Sequence, residues 1–323
     1  QDRYANMRGL KKLEKTELNW IVPTPNNLVF NGLYRNIDSL WSINLDQQFS
    51  KHSKLLSHLM DSVFKIKNLW SKNSNANFLI HHDPKLNSEA YQLLIAEKII
   101  TLKASDYPGV VYGLQSLRQI ITTTALENTE WPLVEIDDSP RFQYRGFLLD
   151  IARNFFGPKK IREVLDLMSL FKLNRLDFRL TDDEGWRLEI PDLPDLTDIG
   201  AKRGYSPGQK DRLIPMYGSG ANGGETGNGF INRKEFINLL KYAHQRAIKI
   251  MPQISFPSHA RAAIKAMDYR YENQLNHQNN NQIKSYQLSD PEDQSKYRSA
   301  QNYDDNIICI CQESAYHFYE KVI

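Results

Sequence analysis

Gly146-Phe-Leu-Leu-Asp150, the helical stretch Lys159 to Phe171 and Arg175-Leu-Asp-Phe-Arg-Leu180 decide the reading of this 323-residue chain. The first is a short apolar run closed by a carboxylate. The second carries Ile161, Val164, Leu165 and Met168 at helical spacing, and the third is another short strand-like run. Continuous apolar strands separated by a helix read as parallel β/α units, because strands covered on both faces need no polar side. Downstream, a helix from Arg233 to Ala247 leads into Lys249-Ile-Met-Pro-Gln-Ile254, which makes a third strand of the same kind. A closed (β/α)8 barrel needs eight strands in about 250 residues. Residues 137–323 are therefore either an open sheet with unusual loops or the first part of a barrel.

The preceding region has a different rhythm. Trp41-Ser-Ile-Asn-Leu45 and Phe78-Leu-Ile80 bracket a predicted helix from Lys51 to Leu69. Tyr91-Gln-Leu-Leu-Ile95 and Ile99 to Ala104 then form a hairpin pattern across a Glu97-Lys98 turn, and a second helix follows from about Gly109 to Thr122. Strands with helices on one side of the sheet make residues 21–136 a small α+β domain. Residues 1–20 are a polar leader segment, and Asp137-Asp-Ser-Pro-Arg141 is the turn-rich join. The fold class is thus α/β: an α+β domain followed by the first strands and helices of a TIM barrel. Asn273 to Asn302, rich in Asn, Gln and Ser, reads as a long loop, and Glu313 begins one more helix.

Composition excludes more than it identifies. With 41 basic and 38 acidic residues the net charge is +3, no field for nucleic acid. No apolar run reaches the eighteen residues of a membrane span. Cys309 and Cys311 sit two apart in an extended segment, where a bridge is strained, and His317 alone does not complete a metal set. No metal and no cofactor are expected. The glycines of Gly218 to Gly229 lack the Lys-Ser/Thr ending of a phosphate loop. The sequence opens on Gln1, which fits processing, trimming or excerpting; a removed signal peptide would place the protein in the periplasm or outside the cell.

Ser139-Pro-Arg-Phe-Gln-Tyr-Arg-Gly-Phe-Leu-Leu-Asp-Ile-Ala-Arg-Asn-Phe155, with Leu180-Thr-Asp-Asp-Glu-Gly-Trp-Arg-Leu-Glu-Ile190, Gly229-Phe-Ile and Pro257-Ser-His-Ala-Arg-Ala-Ala263, forms an ordered set of motifs. It resembles the N-terminal portion of a family 20 glycoside hydrolase, a β-N-acetylhexosaminidase of the bacterial chitobiase type. Val111-Tyr-Gly-Leu-Gln-Ser-Leu-Arg-Gln-Ile120 resembles the helix of the small domain that precedes the barrel in that family. The resemblance implies retaining cleavage of a terminal β-linked N-acetylhexosamine, with the sugar's own acetamido group as nucleophile. It also implies an Asp-Glu pair in a His-x-Gly-Gly-Asp-Glu motif, the Asp orienting and stabilising the acetamido group and the Glu serving as general acid and then general base. That motif is absent from these 323 residues, so no catalytic residue is assigned here; the pair is expected beyond Ile323, and the missing half of the barrel is an expected partner.

On this resemblance Arg153 matches the arginine that grips the 3- and 4-hydroxyls of the sugar, a task suited to a rigid guanidinium fork. Its alternative is an ion pair with Asp150. Asp182 matches a carboxylate of the site floor and His259 the histidine that bridges substrate and floor; Asp183 supports them, with helix capping the bland alternative for either aspartate. Ser255 stands where the family carries Asp, and is expected to accept a hydrogen bond from His259. Asp177 and Arg179, on one strand face, are expected to pair. Arg145, at the start of a barrel strand, reads as a stability residue, and Trp186 as loop packing. The substrate class is an N-acetylhexosamine oligosaccharide. Two rival readings are a homologue that binds the sugar without cleaving it and an assembly scaffold using the small domain alone.

Overall fold

The computed structural model describes residues 20–36, 41–64, 68–70, 76–124, 130–276 and 286–323. The leader segment lies almost wholly outside them. The chain divides into two compact units: one holds the residues up to Arg145 with Asp166–Asn174 and Gln245–Ile248, the other Gly146–Leu165, Arg175–His244 and Lys249–Ile323.

The first unit is built on a seven-stranded sheet. In chain order its strands are β1 (Asn27–Asn36), β2 (Trp41–Leu45), β3 (Asn68–Trp70), β4 (Phe78–His82), β5 (Tyr91–Ile95), β6 (Ile100–Ala104) and β7 (Glu130–Asp138). Their spatial order is β1-β7-β5-β6-β4-β2-β3. Alternation is clean in β5 and β6, where Tyr91, Leu93, Ile95, Ile100, Leu102 and Ala104 are buried, so each strand presents one apolar face. Helix α1 (Ser53–Phe64) and helix α2 (Tyr107–Thr124) supply the other side of the core. Asp106 caps α2 by accepting from the Gly109 amide at 2.9 Å. A Cβ at Gly109 would run into the Ala90 carbonyl, so glycine is what lets α2 lie this close to the sheet. The helix predicted from Lys51 to Leu69 is shorter than its pattern suggests. Its end, Asn68–Trp70, is strand β3, paired in parallel with β2; apolar residues in so short a stretch fit either element, and sheet pairing decides. Strands β1 and β7 escaped the sequence reading.

The second unit carries the parallel sheet. Strands β8 (Gly146–Asp150), β9 (Arg175–Arg179) and β12 (Lys249–Gln253) lie in the order β12-β9-β8, both pairings parallel. Helix α3 (Pro158–Leu170) follows β8 and helix α4 (Arg233–His244) precedes β12. The central strand buries Leu176 and Phe178, whereas the outer strand β8 leaves Phe147 and Leu148 exposed, as an edge without a further neighbour must. A two-residue hairpin, β10 (Thr181–Asp182) with β11 (Gly185–Trp186), follows β9 at once. Helix α5 (Arg261–Asn276) was not anticipated, and it takes in Asn273 to Asn276, which had been assigned to a loop. Its last turn, Asn273-Gln-Leu-Asn276, has loop composition. Helix α6 (Glu313–Val322) starts where expected. Cys309 and Cys311 are both free thiols. Among the described residues no helix is long and apolar enough to cross a membrane.

Candidate active site

The polar groups of the second unit gather where the parallel strands end, which is where the loops of such sheets carry function. Asp150 closes β8 and turns the chain: its Oδ1 accepts from the amides of Ala152 at 2.9 Å and Arg153 at 3.2 Å. Its Oδ2 takes Nη1 of Arg153 at 2.5 Å. The ion pair weighed above as the bland alternative for Arg153 is therefore present, but it is one of three. Nη2 of Arg153 lies 2.9 Å from Asp182 Oδ2, and Nε lies 3.5 Å from Glu184 Oε2. The guanidinium remains a quarter exposed while the Asp182 and Glu184 side chains are buried.

The hairpin β10–β11 holds those acids. Gly185 has no room for a side chain, since a Cβ there would sit 2.5 Å from the Ala152 carbonyl and from Nε of Arg187. Arg187 is wholly buried and donates to the carbonyls of Ala152, Ala201, Gly227 and Gly229 at 3.0 to 3.2 Å. Burial pushes its guanidinium down to about 9, still above neutrality, so the charge that holds four loop carbonyls persists. Arg187 thereby ties together the turn bearing Arg153 and the glycine-rich loop. Trp186 is buried too, donating to the Leu188 carbonyl and meeting Phe318 edge to face at 5.8 Å, as loop packing requires.

His259 completes the cluster. Its Nδ1 stands 3.3 Å from Asp182 Oδ1 and 3.2 Å from Asp183 Oδ2. The residue adopts a left-handed φ of 57°, an uncommon conformation for a non-glycine residue and one that collects at functional sites. Asp183 is fully buried and held by the Arg261 amide at 3.2 Å and by Asn306 Nδ2 at 3.0 Å. Arg153, Asp182, Asp183 and His259 are thus brought together. Ser255 is not part of that contact. Its hydroxyl donates to the Thr181 carbonyl at 2.9 Å and its amide to Thr181 Oγ1, so the group beside His259 is Asp183. The carboxylate beside His259 comes from the β10–β11 hairpin that follows β9. Arg179, for its part, directs its guanidinium to Asp182.

Burial raises the carboxyl of Asp182 above the ordinary range, partly opposed by the Asp183 amide and by Arg153 and Arg179. Glu184 is likewise raised, first by burial and then by the charge of Asp182. Both shifts come first from burial, the cost of placing carboxyls at the strand ends away from water. Asp182, Asp183 and His259 each offer a ligand atom within 4.8 Å of the others. A metal ion there would have to displace positive charge already in place, because Arg153 and Arg179 both lie on Asp182. The donor set is better suited to hydroxyl and amide groups of an organic ligand.

Glu184, Tyr217, Tyr303 and Asn306 belong to this cluster and were missed as site residues. Tyr217 and Tyr303 direct their hydroxyls to Glu184 Oε1, each at 3.4 Å. Three acids in a row, Asp182 to Glu184, are one more than a hairpin needs, and that excess was a readable signal. The two tyrosines and Asn306 come from stretches without periodicity or motif.

A parallel β/α sheet with buried carboxylates and an arginine fork gathered at its strand ends is the arrangement in which α/β proteins carry polar-ligand sites. Residues 142–323 match the glycosyl hydrolase family 20 catalytic domain, and residues 19–139 match glycosyl hydrolase family 20, domain 2. The chain belongs to glycosyl hydrolase family 20. It is 39% identical to N,N'-diacetylchitobiase of Vibrio harveyi over 73% of this chain and 27% of that protein. To a β-hexosaminidase of Vibrio vulnificus it is 38% identical over 76% of this chain and 29% of that protein. The structure of a family 20 exo-β-N-acetylglucosaminidase from Vibrio harveyi in complex with N-acetylglucosamine matches with a TM-score of 0.81 at 28% identity, over 97% of this chain and 45% of that one. The chain spans less than a third of the length of these curated relatives and under half of that solved chain.

Proposed function

We propose that this chain forms the sugar-gripping side of a β-N-acetylhexosaminidase site acting on terminal N-acetylhexosamine of chitobiose or related glycans. The observation that carries the reading is the convergence of Arg153, Asp182, Asp183 and His259 on one cluster at the strand ends. In this reading Arg153 donates to vicinal sugar hydroxyls, and Asp182 with Asp183 holds His259 toward the substrate. Chemistry proceeds by attack of the substrate's acetamido oxygen on the anomeric carbon as the glycosidic bond breaks; in a His-x-Gly-Gly-Asp-Glu segment the Asp orients the acetamido group, and the Glu protonates the leaving oxygen and then takes the proton of the water that opens the cyclic intermediate. That segment is not among the 323 residues, so the chain by itself is expected to bind and not to turn over.

The test is hydrolysis of a chromogenic N-acetylglucosaminide. A protein that joins this chain to a segment with the motif should hydrolyse it, and Arg153→Ala in that protein should lower kcat/KM by about a hundredfold or more. The 323-residue chain alone should give no burst and no steady rate. Turnover by the chain alone, or full activity of the Arg153→Ala protein, would refute the reading. A joined protein that binds N-acetylglucosamine without cleaving it would establish the non-catalytic alternative.

A further inference from the structure

We propose that Glu184 is a positioning residue for Arg153: it fixes the plane of the guanidinium and so decides which sugar hydroxyls the fork can meet. This deepens the reading of Arg153 as the sugar grip and rests on it. Asp150 and Asp182 hold the two terminal nitrogens of Arg153, at 2.5 and 2.9 Å. Two points define a line, about which a planar group still rocks. The charge of Glu184, with Oε2 3.5 Å from Nε, opposes that rocking by attraction and not by a hydrogen bond. Glu184 cannot itself reach a ligand, because its side chain is 1% exposed.

Its own position is over-determined. Oε1 faces the hydroxyls of Tyr217 and Tyr303, and Tyr217 also shares a hydrogen bond with Arg153, closing a loop of contacts around the guanidinium. Tyr217 adopts a left-handed φ of 50°, a strain that this arrangement sustains. Oε2, by contrast, is buried and accepts no hydrogen bond among the described residues, and the carboxylate faces the charges of Arg153 and of the buried Arg203. Glutamine has nearly the same shape and would avoid burying a charge. Besides balancing the buried Arg203, a carboxylate placed at that cost beside the Arg153 fork points to a role in the site.

The experiment uses the 15N-labelled chain and the Nε–Hε resonance of Arg153, assigned by its loss in Arg153→Lys. Glu184→Gln should shift that resonance and leave the Arg187 Nε–Hε resonance in place, and Glu184→Asp should recover part of the shift. A resonance unmoved in Glu184→Gln overturns the proposal. The second arm compares N-acetylglucosamine with its 4-deoxy analogue. The wild-type chain should prefer the parent sugar about tenfold, the equivalent of one hydrogen bond, and Glu184→Gln should lose most of that preference. If Arg153→Lys binds both sugars as wild type does, the sugar-grip reading fails, while the Nε resonance still decides the role of Glu184.

Discussion

Two buried charge networks in this chain differ in how their accounts close. In the first unit, Lys172 pairs with Asp138 at 2.8 Å and bonds the Tyr91 hydroxyl at 2.9 Å, while Asp138 also serves Tyr91 and the Asn26 amide. Arg145 pairs with Glu89 at 2.7 Å and adds the Tyr112 hydroxyl and two carbonyls. Each cation has its anion, and each anion its donors. In the second unit Asp150, Asp182, Asp183 and Glu184 gather around Arg153, Arg179 and His259, with Arg187 and Arg203 also acting on them; burial raises two of the carboxyls, and what fails to close is the hydrogen bonding, since among the described residues Oε2 of Glu184 accepts nothing. A balanced network fixes a fold. An unbalanced one holds electrostatic energy that a ligand's hydroxyl and amide groups can release.

The contrast predicts opposite responses to mutation. The largest effect belongs to the satisfied arginine beneath the second network. Arg187→Ala strands four carbonyls and should cost at least about 4 kcal/mol, read as a fall in the urea midpoint. Lys172→Met leaves Asp138 buried without its cation and should cost about 3 to 5 kcal/mol. Glu184→Gln should go the other way, stabilising the chain at neutral pH by about 1 kcal/mol, the usual return on relieving a functional site. The sign follows from the raised carboxyl of Glu184. The folded chain takes up this proton before the unfolded chain does, so the wild type gains stability as pH falls through the folded value. The advantage of Glu184→Gln should therefore shrink toward the ordinary carboxylate range. Midpoints at neutral and mildly acidic pH check this, and an advantage that grows on acidification would contradict it.

That Arg153, Asp182 and His259 meet in one cluster was legible because each sits in a motif at a fixed offset from a strand end. The fold was legible for a similar reason: short apolar strands alternating with amphipathic helices admit few arrangements. What failed was contact information. Ser255 was judged by the residue it replaces, whereas the partner of His259 is settled by the three-dimensional neighbour Asp183. Tyr217, Tyr303 and Asn306 reach the site from loops whose local sequence encodes no direction. Helix α5 was hidden by a polar last turn, and β1 and β7 by the lack of a turn signal between distant partners.

The central claim is that the unbalanced network, and not the balanced one, takes the sugar. The most direct measurement is a titration of the 15N-labelled chain with N-acetylglucosamine, in the wild type, Arg153→Lys and Lys172→Met, at a temperature where all three are folded. Saturable shifts at His259 and its neighbours should appear in wild type and Lys172→Met and vanish in Arg153→Lys. Shifts that persist in Arg153→Lys, or that vanish only in Lys172→Met, would contradict the account.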